Sequence, residues 1–437
     1  MKNLPARQGS VPVCHKSARR TGLICASALV GASAVFAAPA FANDTTMQLI
    51  EIMRDNGSIN QVQYDQLKAA AVQDDQQMQQ QARMQQPVAA DPALEQRVDD
   101  KLAKMEWASK IKLKGDIRLR YQYGDNSGRE NAAGNNISRD RGRVRYRLGI
   151  ITTPMDDLEV GAGLASGGSD PRSTNQTFGD NFSSKGINLD YAYAQYQFTD
   201  YFAAIAGKFK FKDYLWIPTD VMWDGDINPE GVSGRLNFDN ALGTSFANSG
   251  LWVLNEFGSN GSDPYMYYGQ LGQEFTAGNA FATLAGTWYG FENTAQPDTF
   301  NDDYSAGTNT DDQFGIVNVN GELGTKFAGG KASLVGEYLL NTETDTDEDQ
   351  GFAFGGKVAV DRWEFKYVYA DLDANAVPDI FPDSDRFGGA TDMKGHEVAG
   401  SYALTDVVEL GLDYYNTERK SVDLDEQIVQ ADLSVKF

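Results

Sequence analysis

From Lys110 to the terminal Phe437 the chain alternates apolar and polar residues with a period of two, and the connections between the alternating runs are short and long in turn. A period of two puts successive side chains on opposite faces of a β-strand. In the first run Ile111, Leu113, Ile117, Leu119 and Tyr121 share one face and Lys112, Lys114, Asp116, Arg118 and Arg120 the other. In the second, Arg141, Arg143, Arg145 and Arg147 alternate with Val144, Tyr146 and Leu148. The pattern recurs at Leu158/Val160/Ala162/Leu164, at Ile205/Gly207/Phe209/Phe211 and at Trp363/Phe365/Tyr367/Tyr369, and it closes on Val429/Ala431/Leu433/Val435/Phe437. Asn188–Phe198 changes phase near Ala194, and Leu251–Glu256 and Ala280–Gly290 are ambiguous.

Short connections fall at 153–157, 199–200, 276–278, 328–330, 361 and 405–406, with 239–245 somewhat longer. Long polar ones fall at 124–138, 166–184, 212–229, 291–312, 342–350, 371–393 and 417–426, with 258–264 intermediate. A soluble sandwich shares the alternation but gives no reason for this parity. An outer-membrane barrel does, because its periplasmic turns are short and its outer loops long. The count is about sixteen strands, an even number, so both ends of the barrel lie at one rim. The pattern predicts an all-β membrane protein: an antiparallel transmembrane β-barrel over 110–437, preceded by a short α-helical periplasmic segment.

Residues 1–42 read as a signal peptide. Lys2, Arg7, Lys16, Arg19 and Arg20 precede an apolar stretch at 21–38 and the small-x-small site Ala40-Phe41-Ala42. These 42 residues hold five bases and no acid, so their removal takes the net charge from −23 to −28. Cys14, Cys25 and His15 leave with them, and His396 is then the single histidine. No cysteine nucleophile or multi-histidine metal site remains, and neither a metal nor a cofactor is expected. So acidic a chain is a poor ligand for nucleic acid. Residues 43–109 read as helical: one helix over Met47–Met53 stopped by Gly57, a second from Gln61 to Gln86, and a third after Asp91. In the third, Leu94, Val98, Leu102 and Met105 form one stripe, either a short coiled-coil seam or a docked face.

The chain resembles the putative porin family of Gram-negative outer membranes. The resemblance rests on Gly115–Tyr121 (GDIRLRY), Arg141–Gly149 (RGRVRYRLG), Asp170–Gly179 (DPRSTNQTFG), Leu189–Tyr193, Gly207–Phe209 and Trp223–Gly231 (WDGDINPEG). It implies an outer-membrane β-barrel with pore activity and a helical N-terminal extension. The expected function is passive diffusion of small hydrophilic solutes or ions. The alternative is a binding or structural protein that uses acidic outer loops or the helical segment.

In a barrel of this size polar residues line a wet lumen. Arg118, Arg120, Arg141, Arg143, Arg145, Arg147, Lys208 and Lys210 are the candidate pore-lining cations. The connection 212–229, with Asp213, Asp220, Asp224 and Asp226, is the candidate constriction loop, and a basic wall facing an acidic loop would select ions. The simpler reading is that wall acids neutralise the arginines. Asp371, Asp373, Asp379, Asp383 and Asp385 read as outer-loop charge, Tyr414 and Tyr415 as interfacial girdle, and His396 as a loop or lumen residue. The expected partners are outer-membrane lipid, lipopolysaccharide and small solutes, with a homotrimer by analogy with barrels of this size.

Overall fold

The computed structural model describes residues 42–84, 110–130, 136–258, 261–294, 299–300 and 304–437. The chain separates into two compact units, with the division between Met105 and Glu106. In the first unit, α1 spans Ala42–Asp55 and α2 spans Gln61–Met84. The start of α1 lies upstream of the expected Met47, so Thr45 and Thr46 are helical residues. Gly57 ends the turn at φ +73°, a conformation that favours glycine. Asn60 and Gln63 form a reciprocal cap at the start of α2: each side-chain oxygen accepts the other's backbone N–H, at 2.9 and 3.0 Å. Ile50 and Tyr64 are buried, and the Arg54 guanidinium lies 4.6 Å from the Tyr64 ring centre. The expected signal peptide over 1–42, apart from Ala42 itself, and the third helix expected after Asp91 lie outside the described residues.

The second unit is one sheet of β1 (Ile111–Glu130), β2 (Asn136–Met155), β3 (Leu158–Ser166), β4 (Gln176–Thr177), β5 (Ile187–Thr199), β6 (Phe202–Lys208), β7 (Glu230–Asn240), β8 (Gly243–Val253) and β9 (Tyr265–Ala277). It continues through β10 (Ala280–Glu292), β11 (Gly315–Phe327), β12 (Gly330–Asn341), β13 (Gln350–Val360), β14 (Trp363–Leu372), β15 (Met393–Ala403), β16 (Val408–Arg419) and β17 (Asp425–Lys436). All pairings are antiparallel. β1 pairs with β2 on one side and with β17 on the other, from Asp116↔Lys436 to Asn126↔Glu426, so the sheet closes on itself. Closure leaves no strand edge unpaired, as a spanning sheet requires. Sixteen strands make the wall. β4 is a patch on β2, at Arg143↔Thr177 and Val144↔Gln176, where the chain rejoins the wall after leaving it at Ser166. The Ser166 hydroxyl seals the gap, accepting the Tyr146 N–H and donating to the Thr174 carbonyl, each at 2.8 Å.

The alternation resolves into an apolar outside and a largely polar inside. Leu271 and Leu334 are 70% and 68% exposed on the outer face, whereas Gln270, Glu397 and Asp413 are buried inside. Such a surface suits lipid, not water. The phase of β5 shifts at Asp190 and not near Ala194: Gly163 pairs with Tyr191 and Leu164 with Leu189, leaving Asp190 as the extra residue of a bulge, while the register through Ala194 is unbroken. In its described residues the expected loop 124–138 continues β1 and β2, paired to Asn126↔Ile137 and again at Glu130↔Asn136, with β17 alongside β1 as far as Asn126↔Glu426. At the seam, the backbones of Gly115 and Phe437 exchange two hydrogen bonds of 2.9 and 3.0 Å. The Phe437 ring occupies the space a side chain at Gly115 would need.

Candidate channel lining

Neighbouring strands bring the arginines together. Arg118 lies opposite Arg145, and Arg120 opposite Arg143. Like charges so placed repel unless acids intervene, and here acids come from four segments. Asp432 of β17 takes Arg120 in a bidentate pair, Nε to Oδ1 at 2.8 Å and Nη2 to Oδ2 at 2.9 Å. Asp385 takes Arg120 Nη1 at 3.1 Å. Asp116 of β1 receives Arg145 at 2.7 Å and Arg147 at 2.7 Å. Asp226 receives Arg147 Nη1 at 3.4 Å. Arg118 donates to Asn175 Oδ1 at 2.8 Å, with Asp432 3.7 Å away. Arg143 differs: it donates to neutral groups, Gln122 Oε1 at 3.1 Å and Ser173 Oγ at 3.3 Å. Arg141 stands on the same inward row, opposite Gln122.

The third basic strand runs in the opposite phase to the one expected. Ala203 and Ile205 of β6 are buried inside, and Phe209 and Phe211 continue into an interior apolar cluster. Lys208, out of phase with them, bonds the Asn228 carbonyl and the exposed Glu230 carboxylate, each at 3.0 Å. The reason for the inversion is that an inserted loop, not lipid, covers this apolar face. Lys210 lies past the strand end, its ammonium 5.2 Å from the Tyr191 ring centre.

The loop 209–229 is folded inside the barrel. Gln270 of β9 binds Trp216 as a peptide group would, accepting its N–H at 2.8 Å and donating to its carbonyl at 2.9 Å. Tyr268 donates to the Tyr214 carbonyl at 2.7 Å and Lys357 of β13 to that of Pro218 at 2.6 Å. Glu337 of β12 holds the Thr219 hydroxyl. The loop then passes from Asp220, bound to Lys366 of β14, to Asp226 at the β2 arginines. Its four acids therefore do different things. Asp213 is exposed, and it is its backbone carbonyl that meets an arginine, accepting from Arg235 Nη1 of β7 at 3.3 Å. Asp220 and Asp224 face other partners, and only Asp226 meets the basic rows.

Sequence reasoning missed a second inserted loop. The segment 373–392 was expected outside, yet Asp383, Asp385 and Arg386 are inside and buried or nearly so. Asp224 joins the two loops: its N–H donates to the Phe381 carbonyl at 2.7 Å, and its Oδ2 accepts the Ser384 N–H at 2.9 Å. Trp223 stacks on Phe381 at 4.5 Å. Asp220, Lys366, Glu397 and Arg386 close a ring in which each cation touches both acids. The outward signs were present in the sequence: Ala374, Ala376, Val377, Ile380 and Phe381 are too apolar for a loop in water. Tyr415, expected in the girdle, is buried inside with Arg386 over its ring. His396 is on the outer face of β15, its Nδ1 2.9 Å from the Tyr367 hydroxyl, and so is neither loop nor lumen.

These contacts set the charge states of the loop acids. Burial alone would raise the Asp226 carboxyl, but Arg147 and Arg145 hold it far below the usual carboxylate range. Asp220 is likewise held well below that range by Lys366 and Arg386 against the effect of burial. Burial, with Asp226 as a negative neighbour, pushes Asp224 up to about 7. Asp383 is raised well above its ordinary value by burial and by Asp220, Asp385 and Asp224.

A family model described as "Putative porin" matches residues 126–318 and 351–437, more than half of the chain. Among solved structures, OprB of Pseudomonas putida matches with a TM-score of 0.51 at 12% identity, covering 78% of this chain and 97% of that one. At that identity the likeness shows the fold alone. Mutants of Rh. blastica porin match with a TM-score of 0.45 at 11% identity, over 75% of this chain and 100% of theirs. No curated protein matches.

Proposed function

The chain belongs to the putative porin family, and from that premise we propose that it is an outer-membrane passive diffusion channel for small hydrophilic solutes or ions. The observation that carries this reading is the closed sixteen-strand wall, apolar outside and lined inside by fixed charges. A solute crosses down its gradient and no bond is made or broken. Selection falls to the strip where the β1 and β2 arginines face Asp226 and Asp385, because opposed fixed charges act on any ion that passes between them. On this reading the short turns belong at the periplasmic rim and the long connections outside, and that parity supports a periplasmic position for the segment 43–109.

Swelling of liposomes containing the purified protein, in solutions of neutral sugars of graded size, tests the reading. Swelling that falls off with sugar size is expected. Liposomes that swell no faster than protein-free ones would refute it.

A further inference from the structure

Most cations inside the barrel are neutralised where they stand. Arg120, Arg145 and Arg147 hold carboxylates of the wall and loops, and Lys366 and Arg386 hold the four-charge ring. Several are not: among the described residues Arg143, Lys210, Lys212, Lys357 and Arg235 have no carboxylate within ion-pair distance, and of these Lys357 and Arg235 are taken up by the Pro218 and Asp213 carbonyls. Arg143 is 9% exposed and its Nε–H has no partner at all. A guanidinium so buried without a counter-charge is costly, and a solute or counter-ion from the lumen would relieve it. Lys210 and Lys212 are exposed, although the charges acting on them are inward ones: Arg147, Asp190 and Asp226 on Lys210, and Asp220, Asp224 and Asp226 on Lys212. An exposed side chain amid inward charges borders water inside the barrel.

We propose that Arg143, Lys210 and Lys212 form a binding track for small oxyanions, carboxylates or inorganic phosphate, within the lumen. The inference rests on the channel reading and deepens it by naming a solute class. Fixed cations that no carboxylate pairs directly draw anions of any kind. The Arg143 fork adds a preference for oxygens over halide, since paired N–H donors match two oxygens of one anion. Lys210 and Lys212, compact charges on flexible stems, supply attraction without that geometry.

The test is single-channel recording of the purified full chain in planar bilayers. Current is measured in KCl, and potassium phosphate or potassium acetate is then exchanged in at constant ionic strength. Both oxyanions are expected to lower the chloride current in a saturable way, and a response to one of them alone assigns the track to that class. In Arg143→Gln the half-saturating concentration rises roughly tenfold, as for one lost charge-assisted hydrogen bond. Lys210→Gln combined with Lys212→Gln shifts permeability toward cations and weakens the block without touching the buried arginine, so the test survives a variant that fails to fold. Lys331→Gln, at an exposed strand end, changes neither. A conducting channel with no saturable oxyanion effect, or with one that these variants leave unchanged, overturns the proposal and leaves the channel reading standing. Absence of conductance in any salt overturns both.

Discussion

Replacing Asp220 with asparagine tests whether the four-charge ring holds the inserted loops. Asp220 is bound by Lys366 at 2.8 Å and by Arg386 at 2.9 Å, and the same cations hold Glu397, which is fully buried. Two acids balance two cations, so Asp220→Asn preserves shape and leaves one buried positive charge in excess. Removing one partner of a buried pair costs about 3–5 kcal/mol. The side chains of Asp220 and Lys366 are 16% and 20% exposed, so water offsets part of this and the lower figure, about 3 kcal/mol, applies. That lowers the docked-to-undocked ratio of the 209–229 loop roughly a hundredfold. Limited proteolysis of the detergent-solubilised protein reads the ratio, because cleavage tracks the open population when opening is fast. The wild-type loop is expected to resist, and the variant to be cut between 209 and 229 while the barrel keeps its compact, heat-modifiable band. Glu230→Gln, in the exposed pair with Lys208, should change nothing. An Asp220→Asn protein as resistant as wild type would show that the apolar contacts hold the loop without the ring.

Other outcomes follow from the same geometry. The Asp224 carboxyl, raised to about 7, binds its proton more tightly when docked than when undocked. Docking is therefore strongest in acid and weakens as pH rises from the ordinary carboxylate range through about 7. Cation permeability should rise over the same interval, and Asp224→Asn should flatten that change in reversal potential. Gly115→Leu would drive a side chain into the Phe437 ring and against the Arg147 carbonyl, costing about 1–3 kcal/mol and lowering the temperature at which the folded band is lost on gels. Leu271→Arg, on the outer face halfway along β9, should destabilise the barrel by about 2–4 kcal/mol in lipid. Asp347→Arg, in the exposed connection 342–349, should leave that stability unchanged.

The wall was legible because period and loop parity are local properties. Strand count, the short turns and the inward row Arg118–Arg147 could all be read without knowing what fills the barrel. Most of the neutralising acids could not. Asp116, on the polar face of β1, meets Arg145 and Arg147 across the β1–β2 hairpin, but Asp432 reaches Arg120 across the β17–β1 seam, which sequence places only once closure is assumed, and Asp385 comes from a loop expected outside. The simpler reading of the arginines, neutralisation by acids, describes Arg118, Arg120, Arg145 and Arg147 but does not reach Arg143.

The deepest gap between pattern and structure has one physical cause: lipid and an inserted loop are both dry, and alternation cannot tell them apart. The apolar row Ile205/Gly207/Phe209/Phe211 was therefore assigned to lipid, when Ile205, Phe209 and Phe211 are buried inside in one cluster with Trp223. The sequence does carry a mark of the difference. Where the inner face is dry as well, alternation fails altogether, because both neighbours of an outward residue are apolar. Trp252 lies buried between outward Leu251 and Val253, and Tyr289 follows outward Trp288. Those are the two stretches whose period is ambiguous. Buried Ile316 beside outward Val317, near the start of β11, adds a third at the long-connection rim, where the inserted loops leave the wall. A barrel strand that loses its period at that rim thus signals a loop packed inside. Combined with a long connection rich in aromatics, such as 209–229, it locates the narrow part of the lumen from the order of residues alone.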